Sequence, residues 1–247
     1  MDDQPDIGRR IRPVRGLLVA GVAIAALLVV LDIAVTRVPW APQWREPESM
    51  VRIYFDVARE QNLPTWVNVC LLTLAAAIAG LVAALARAAR DPSALPWAVF
   101  ALICAGLSLD DLTSLHERLD PLGRQLGGGS GLTYAAWLVP GALVAVAVVV
   151  AVVVLVRRTG RTTRLLLLTG LGCLLAGAFG FEAAGNAVLE ERGFSRAYAW
   201  FLFTEEFLET IGAVLLLAGT VSGLRITATG PSLLVELARP GGPQTTR

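Results

Sequence analysis

Apolar residues in this chain fall into long blocks, not at the two-residue or three-to-four-residue spacing that marks a soluble core. Crossing a bilayer as a helix takes roughly 20 apolar residues. Six blocks reach that length: 16–36, 65–85, 96–115, 134–156, 165–189 and 198–218. The pattern predicts an all-α polytopic membrane protein, a bundle of six transmembrane helices. The third, fifth and sixth blocks each carry acids toward one end. The first block leaves through Asp32 to Arg37 without a small-x-small cleavage pattern, so it reads as a retained helix.

The links between blocks predict the rest of the layout. The segment 37–64 is the longest link, and Pro39, Pro42 and Pro47 prevent one continuous helix there. Residues 48–60 fit a short surface helix, with Val51, Phe55 and Ala58 on one face. Pro64 suits the first turn of the second span. The Gly-Gly-Gly-Ser-Gly run at 127–131 reads as a flexible link, because Leu132 stands where a serine-nucleophile motif needs its last Gly. Gly172, Ala176 and Gly180 form a small-residue stripe for close helix approach, and Gly212 and Ala213 offer the same on the sixth span. The expected division is a tail at 1–15, a transmembrane domain at 16–225 with its outer loop at 37–64, and a tail at 226–247. Both tails read as short, polar and mobile.

Composition agrees with the pattern: 55% of the 247 residues are hydrophobic and mean hydropathy is +0.64. All 21 basic residues are Arg. The absence of Lys excludes an internal Schiff base and a P-loop lysine. The net charge of +1 says little, but its distribution says more. Arg9, Arg10, Arg12, Arg15, Arg87, Arg90, Arg157, Arg158, Arg161, Arg164 and Arg225 all fall in the tails and links of one side, where acids are few. The positive-inside rule then puts both termini in the cytoplasm. Trp40, Trp44, Trp66, Tyr134, Trp137, Tyr198 and Trp200 fall near the opposite interface, as an aromatic belt would. Cys70, Cys104 and Cys173 lie in separate spans at spacings that fit neither zinc nor disulfides, and read as packing residues.

Two polar runs interrupt the apolar background: residues 108–117 (Ser-Leu-Asp-Asp-Leu-Thr-Ser-Leu-His-Glu) and 204–210 (Thr-Glu-Glu-Phe-Leu-Glu-Thr). Acids at membrane depth are costly and mark functional sites by default. A helix drawn over 108–119 puts Asp110, Thr113, Ser114 and Glu117 opposite Leu112, Leu115 and Leu119. Glu182, Asn186 and Glu190 recur at i, i+4, i+8 on the fifth span, and Glu205, Glu206 and Glu209 share one side of the sixth. With the predicted topology all of these lie at one depth, in the outer half of the bilayer. That convergence predicts one shared site facing the extracytoplasmic side of a multi-pass protein of the cell membrane.

Three neutralisers compete for the acids. Arg52, Arg59, Arg118, Arg124, Arg192 and Arg196 could form a salt-bridge network that only locks the bundle. A divalent metal could bind Asp110, His116, Glu117, Glu205 and Glu209, a hard set that suits Mn, Fe, Zn or Ca better than Cu(I). Protons could sit on crowded carboxylates, with Glu205 and Glu209 as the proton-binding pair of a proton-coupled small-molecule carrier. The single His excludes two-His and three-His sites within one chain. The metal reading predicts hydrolysis: a metal-bound water attacks an ester or phosphoester, with Asp111 or Glu206 as general base. Glu182 and Asn186 stand behind the ligands. The expected partners are the bilayer and a small-molecule or lipid ligand, with no nucleic acid.

The chain resembles a poorly characterised family of bacterial multi-span membrane proteins, some of which carry the label multidrug transporter. The residues that carry the resemblance are Phe55, Asp56, Glu60, Asn62, Pro64, Thr65 and Trp66, then Leu109, Asp110, Asp111, His116 and Glu117, then Glu205, Glu206, Glu209 and Gly212. The resemblance implies a polytopic protein with an acidic site. It adds Asp56, Glu60 and Asn62 at the mouth of that site, and it implies no established activity.

Overall fold

The computed structural model describes residues 9–238. Five helical stretches are long and apolar enough to cross a membrane: α1 (Val14–Val35), α3 (Leu63–Ala88), α4 (Ala94–Thr113), α6 (Leu138–Val156) and the continuous Arg161–Arg192. The last comprises α7 (Arg161–Leu175), a π-helical turn (Ala176–Phe181) and α8 (Glu182–Arg192). The sixth apolar block is also a helix, α9 (Arg196–Ser222), of 27 residues. Its three carboxylates keep it from reading as a simple apolar span. It is nevertheless the helix on which α1, α3 and α7 pack, and Ala213, Val214, Leu216, Leu217 and Ala218 are buried along it. The short helices α2 (Met50–Phe55) and α5 (Asp120–Gln125) lie in the links.

Local chemistry explains the helix boundaries near the polar runs. Asn62 caps α3: its side-chain oxygen accepts the Thr65 N–H at 3.3 Å. Pro64 occupies the first turn, where its missing N–H leaves nothing unsatisfied. The amide group of Asn62 also donates to the carbonyls of Ile53 (3.0 Å) and Asp56 (2.6 Å), which ties the preceding loop to the helix start. The helix expected over 48–60 is therefore shorter, only α2. The helix expected over 108–119 stops at Thr113. Ser114 takes a left-handed conformation, φ +49°, and the Asp110 carboxylate accepts the His116 N–H at 2.7 Å. A side chain thus supplies the acceptor that another helical turn would have supplied. Beyond Thr113 the helical-wheel faces drawn for 108–119 do not apply.

Close helix approach does not use the expected stripe. A Cβ on Gly172 or Gly180 would meet nothing within 4 Å. On Gly170 it would lie 3.0 Å from the Gly212 carbonyl, and on Gly177 it would lie 2.8 Å from Glu209 Cγ. Small residues mark faces that permit an approach, and only packing selects the face that α9 takes. Gly212 and Ala213 do sit in that seam, as expected.

The fold also carries a small sheet, which a purely α-helical reading misses. β1 (Arg9–Ile11), β2 (Leu224–Thr229) and β3 (Ser232–Leu237) form a three-stranded antiparallel sheet in the order β1-β2-β3. Gly230, at φ +56°, turns β2 into β3. Parts of both segments read as tails are therefore paired strands. The sheet lies at the end of the bundle where α1 begins and α9 stops, and the apolar core is concentrated toward this end, around Trp97, Phe100, Val152, Leu155, Leu167 and Leu216.

Candidate carboxylate–histidine site

The opposite end of the bundle holds the acids. The last turn of α4 presents Asp110 and Asp111, and the chain then folds back so that His116 returns to Asp110. The two oxygens of Asp110 divide their work: one accepts the His116 backbone N–H, the other lies 3.1 Å from His116 Nδ1. Glu60, from the loop before α3, meets His116 and Glu117. One ligand atom from each of these three residues lies within 4.8 Å of the other two.

Trp137, at the start of α6, organises the wall behind His116. It is buried, with its ring 4.8 Å from the imidazole and 5.4 Å from Phe179 of the π-helical turn, centroid to centroid. Its Nε1–H donates to Glu182 at 2.9 Å and its backbone N–H to Asp120 at 3.2 Å. Gly141, one turn on, makes room for the indole; a Cβ there would lie 2.7 Å from the ring. Trp137 is therefore not part of an interfacial belt. Trp40, Trp66 and Trp200 are exposed, as belt residues would be.

The α9 carboxylates join from the other side. Glu209 feels the charges of Asp111, Glu182, His116 and Asp110, and Glu206 those of Asp111 and Glu60. Glu205 feels Glu182 and Glu209. A π-helical turn is a local distortion that often accompanies function, and here it brings Gly177 against Glu209 and the Glu205 carbonyl.

Very little positive charge reaches this cluster. Arg59 pairs with Asp56 at 3.4 Å and Arg124 with Asp120 at 2.9 Å. Arg52 donates to the Arg45 carbonyl at 2.8 Å, and Arg118, Arg192 and Arg196 are exposed. Among the described residues no arginine pairs with Glu60, Asp111, Glu182, Glu205, Glu206 or Glu209. Three buried acceptors, Glu60 Oε2, Asp111 Oδ2 and Asn68 Oδ1, have no hydrogen-bond partner. Buried acceptors without donors are rare and call for an explanation such as a bound ion.

Two groups in the loops show what the surroundings do. Burial opposes a charged His116, but the hydrogen bond and charge of Asp110, with Glu182 and Glu60, outweigh it and push the imidazole up to about 9. Burial also pushes Glu60 above the usual carboxylate range. His116 opposes that shift, and Glu117 and Asp110 add to it.

Asp110, Asp111, His116, Glu117, Glu182, Glu205, Glu206 and Glu209 thus fall within one electrostatic neighbourhood, and Glu60 is inside it, beyond the mouth. Other expected members do structural work. Asn62 is the α3 cap. Asp56 accepts the Ala58 N–H at 3.0 Å and pairs with Arg59. Glu190 accepts the Gly131 N–H at 2.5 Å and so anchors the glycine-rich link. Asn186 is half-buried one turn beyond Glu182. Sequence reasoning does not find Trp137 or Asp120. The usable signal is Trp-x-x-x-Gly at 137–141, a large ring beside the one residue that clears space for it.

No curated protein and no solved structure matches this chain. Residues 17–224, which take in nearly all of the helical bundle and the whole acidic cluster, match one family, and the chain belongs to it: the Domain of unknown function (DUF8692).

Proposed function

We propose that the protein is a six-span membrane protein, with both termini in the cytoplasm, that binds a divalent cation at an extracytoplasmic carboxylate–histidine site. The observation that carries this reading is the Glu60–His116–Glu117 cluster with its unpartnered Glu60 oxygen and no arginine to neutralise it. Glu60, His116 and Glu117 serve as ligands. Asp110 accepts from His116 Nδ1–H, and an ion bound at Nε2 would displace the second imidazole proton, in the carboxylate–histidine arrangement that commonly supports metal sites. Asp111, Glu182, Glu205, Glu206 and Glu209 form the acidic surroundings into which the ion's charge is received. Oxygen and imidazole donors suit Mn, Fe, Zn or Ca. Such an ion would supply a nucleophilic water near neutral pH, with Asp111 or Glu206 as the base that takes its proton and an ester or phosphoester as the bond attacked.

Support for the sixth span is the length of α9, roughly 40 Å at 1.5 Å per residue, together with its packing inside the bundle. The orientation rests on the concentration of arginine at the sheet end. A second reading, a proton-coupled carrier, is favoured by Glu205, Glu206 and Glu209, which have no cationic partner among the described residues.

Elemental analysis of detergent-purified protein, prepared without chelator, tests the proposal beside Glu60→Gln and His116→Ala. Near-stoichiometric metal in the unchanged protein and its loss in both variants is the expected result. No metal in any of the three would overturn the cation site and leave proton-coupled uptake, abolished by Glu205→Gln, as the reading to pursue.

A further inference from the structure

The sheet at the basic end has an apolar face that the bundle only partly covers. Side chains along a strand alternate between faces, so the register assigns them. Leu224 pairs with Leu237, Ile226 with Val235 and Ala228 with Leu233, and Ile11 of β1 stands beside Ile226. All of these share one face, with Arg9 beside Ala228 at its edge, whereas Arg10, beside Thr227, is on the opposite face. Arg225, Thr227, Thr229, Ser232 and Glu236 lie on the other, with Leu234. The apolar face is seated on the bundle at one end only: Leu224 and Leu237 pack against the core around Trp97. Away from that contact, among the described residues, the same face is open, with Val235 37%, Ile11 41% and Leu233 66% exposed.

Direction follows from this seating. The face that meets the base of the bundle at Leu224 and Leu237 continues past the helices at Val235 and Leu233. Beside the base of a membrane-spanning bundle lies the lipid of the adjoining leaflet. Charge points to the kind of lipid. Arg9, Arg10, Arg12 and Arg15 are exposed on and next to β1, and Arg157 and Arg158 on the α6–α7 link and Arg161 and Arg164 in the first turn of α7 are exposed too; the link meets β3 where Arg158 and Thr159 approach Leu237. Exposed arginines beside a membrane surface attract anionic headgroups.

We infer that the three-stranded sheet is an interfacial anchor that lays the Ile11, Leu233 and Val235 face into the leaflet at the basic end and holds anionic lipid headgroups with Arg9, Arg10 and Arg12. The occupant is the lipid leaflet itself. The inference is independent of whether a cation binds at the opposite end.

The test uses the full chain with Cys70, Cys104 and Cys173 changed to Ala, and an environment-sensitive fluorophore on either Leu233→Cys or Ser232→Cys. These neighbours lie on opposite faces. The protein is placed in vesicles of phosphatidylcholine alone, or of equal parts phosphatidylcholine and phosphatidylglycerol, each with brominated acyl chains. The expected result is blue-shifted, strongly quenched emission at 233 and water-like emission at 232. The quenching should grow with phosphatidylglycerol, and that growth should be lost when Arg9, Arg10 and Arg12 become Gln. Water-like emission at both positions would overturn the inference, as would quenching indifferent to phosphatidylglycerol. Shielding of 233 that accompanies a doubled particle mass would assign the face to a second copy of the chain instead. Hydrogen–deuterium exchange of β3 amides in the unlabelled protein, in the same two vesicles, probes the same contact without substitutions: slower exchange with phosphatidylglycerol supports the anchor, and equal exchange refutes it.

Discussion

The two ends of this bundle satisfy opposite requirements. At the basic end Trp97, Phe100, Leu155, Leu167 and Leu216 close into a dry core, the helices are capped by a sheet, and the arginines face outward. At the acidic end helices give way to links and short helices, one helix distorts into a π turn, and carboxylates crowd together with buried acceptors left unpaired. A core of that first kind is what stability alone produces. The second arrangement sacrifices stability, because uncompensated buried charge is unfavourable, and such sacrifice is typical of places kept for chemistry. The well-packed end accounts for folding, and the poorly satisfied end is where an ion or protons would meet polar groups without partners.

Substitutions at each end test that separation. Phe100→Ala opens a cavity in the dry core and should lower stability in detergent by about 3–5 kcal/mol while leaving metal content unchanged; loss of metal would mean the two ends are not separable. The next largest effect concerns His116. Its imidazole is raised from 6.5 to about 9 in the folded, metal-free chain. The stabilisation this implies, up to about 3 kcal/mol, is fully present below pH 6.5 and is lost as pH rises through about 9. Thermal melts of metal-free protein should fall across that window, and His116→Gln should flatten the dependence; an unchanged slope would remove Asp110–His116 as the cause. Trp137→Phe keeps the ring but strips Glu182 of its donor, and should cost about 1–3 kcal/mol with weakened metal retention. The smallest effect has the opposite sign. Glu209→Gln removes one crowded carboxyl group beside Asp111 and Glu182, so it should raise stability slightly, by about 1 kcal/mol or less, and reduce cation binding. A variant both less stable and unable to bind would mean that Glu209 is structural.

Much of this arrangement is legible in the order of residues. Helices long enough to span are set by local composition, and arginine placement separates the two ends without knowledge of packing. The acids stand out because apolar surroundings make each one conspicuous. The division of labour among them is not legible. A helix drawn through His116 overlooks the left-handed Ser114, because the reversal depends on one Asp110 oxygen being free to accept an amide six residues on. Glu60 is visible only through resemblance, since the loop carrying it is held by Asn62 contacts that span several turns. Trp137 reads as an interfacial residue because hydropathy cannot distinguish a ring facing lipid from one packed at a tilt against a histidine.

Residue order is enough to establish a mostly helical chain, several helices long and apolar enough to cross a membrane, the charge asymmetry and the presence of acids among the apolar blocks. All of these follow from the cost of moving each residue type between water and hydrocarbon. Packing in three dimensions selects which acids meet the single histidine and which glycines form the seam with α9, and it pairs short segments from the two ends of the chain as a sheet. Those outcomes depend on side-chain hydrogen bonds and on contacts between residues distant in the chain, and no local transfer energy contains them.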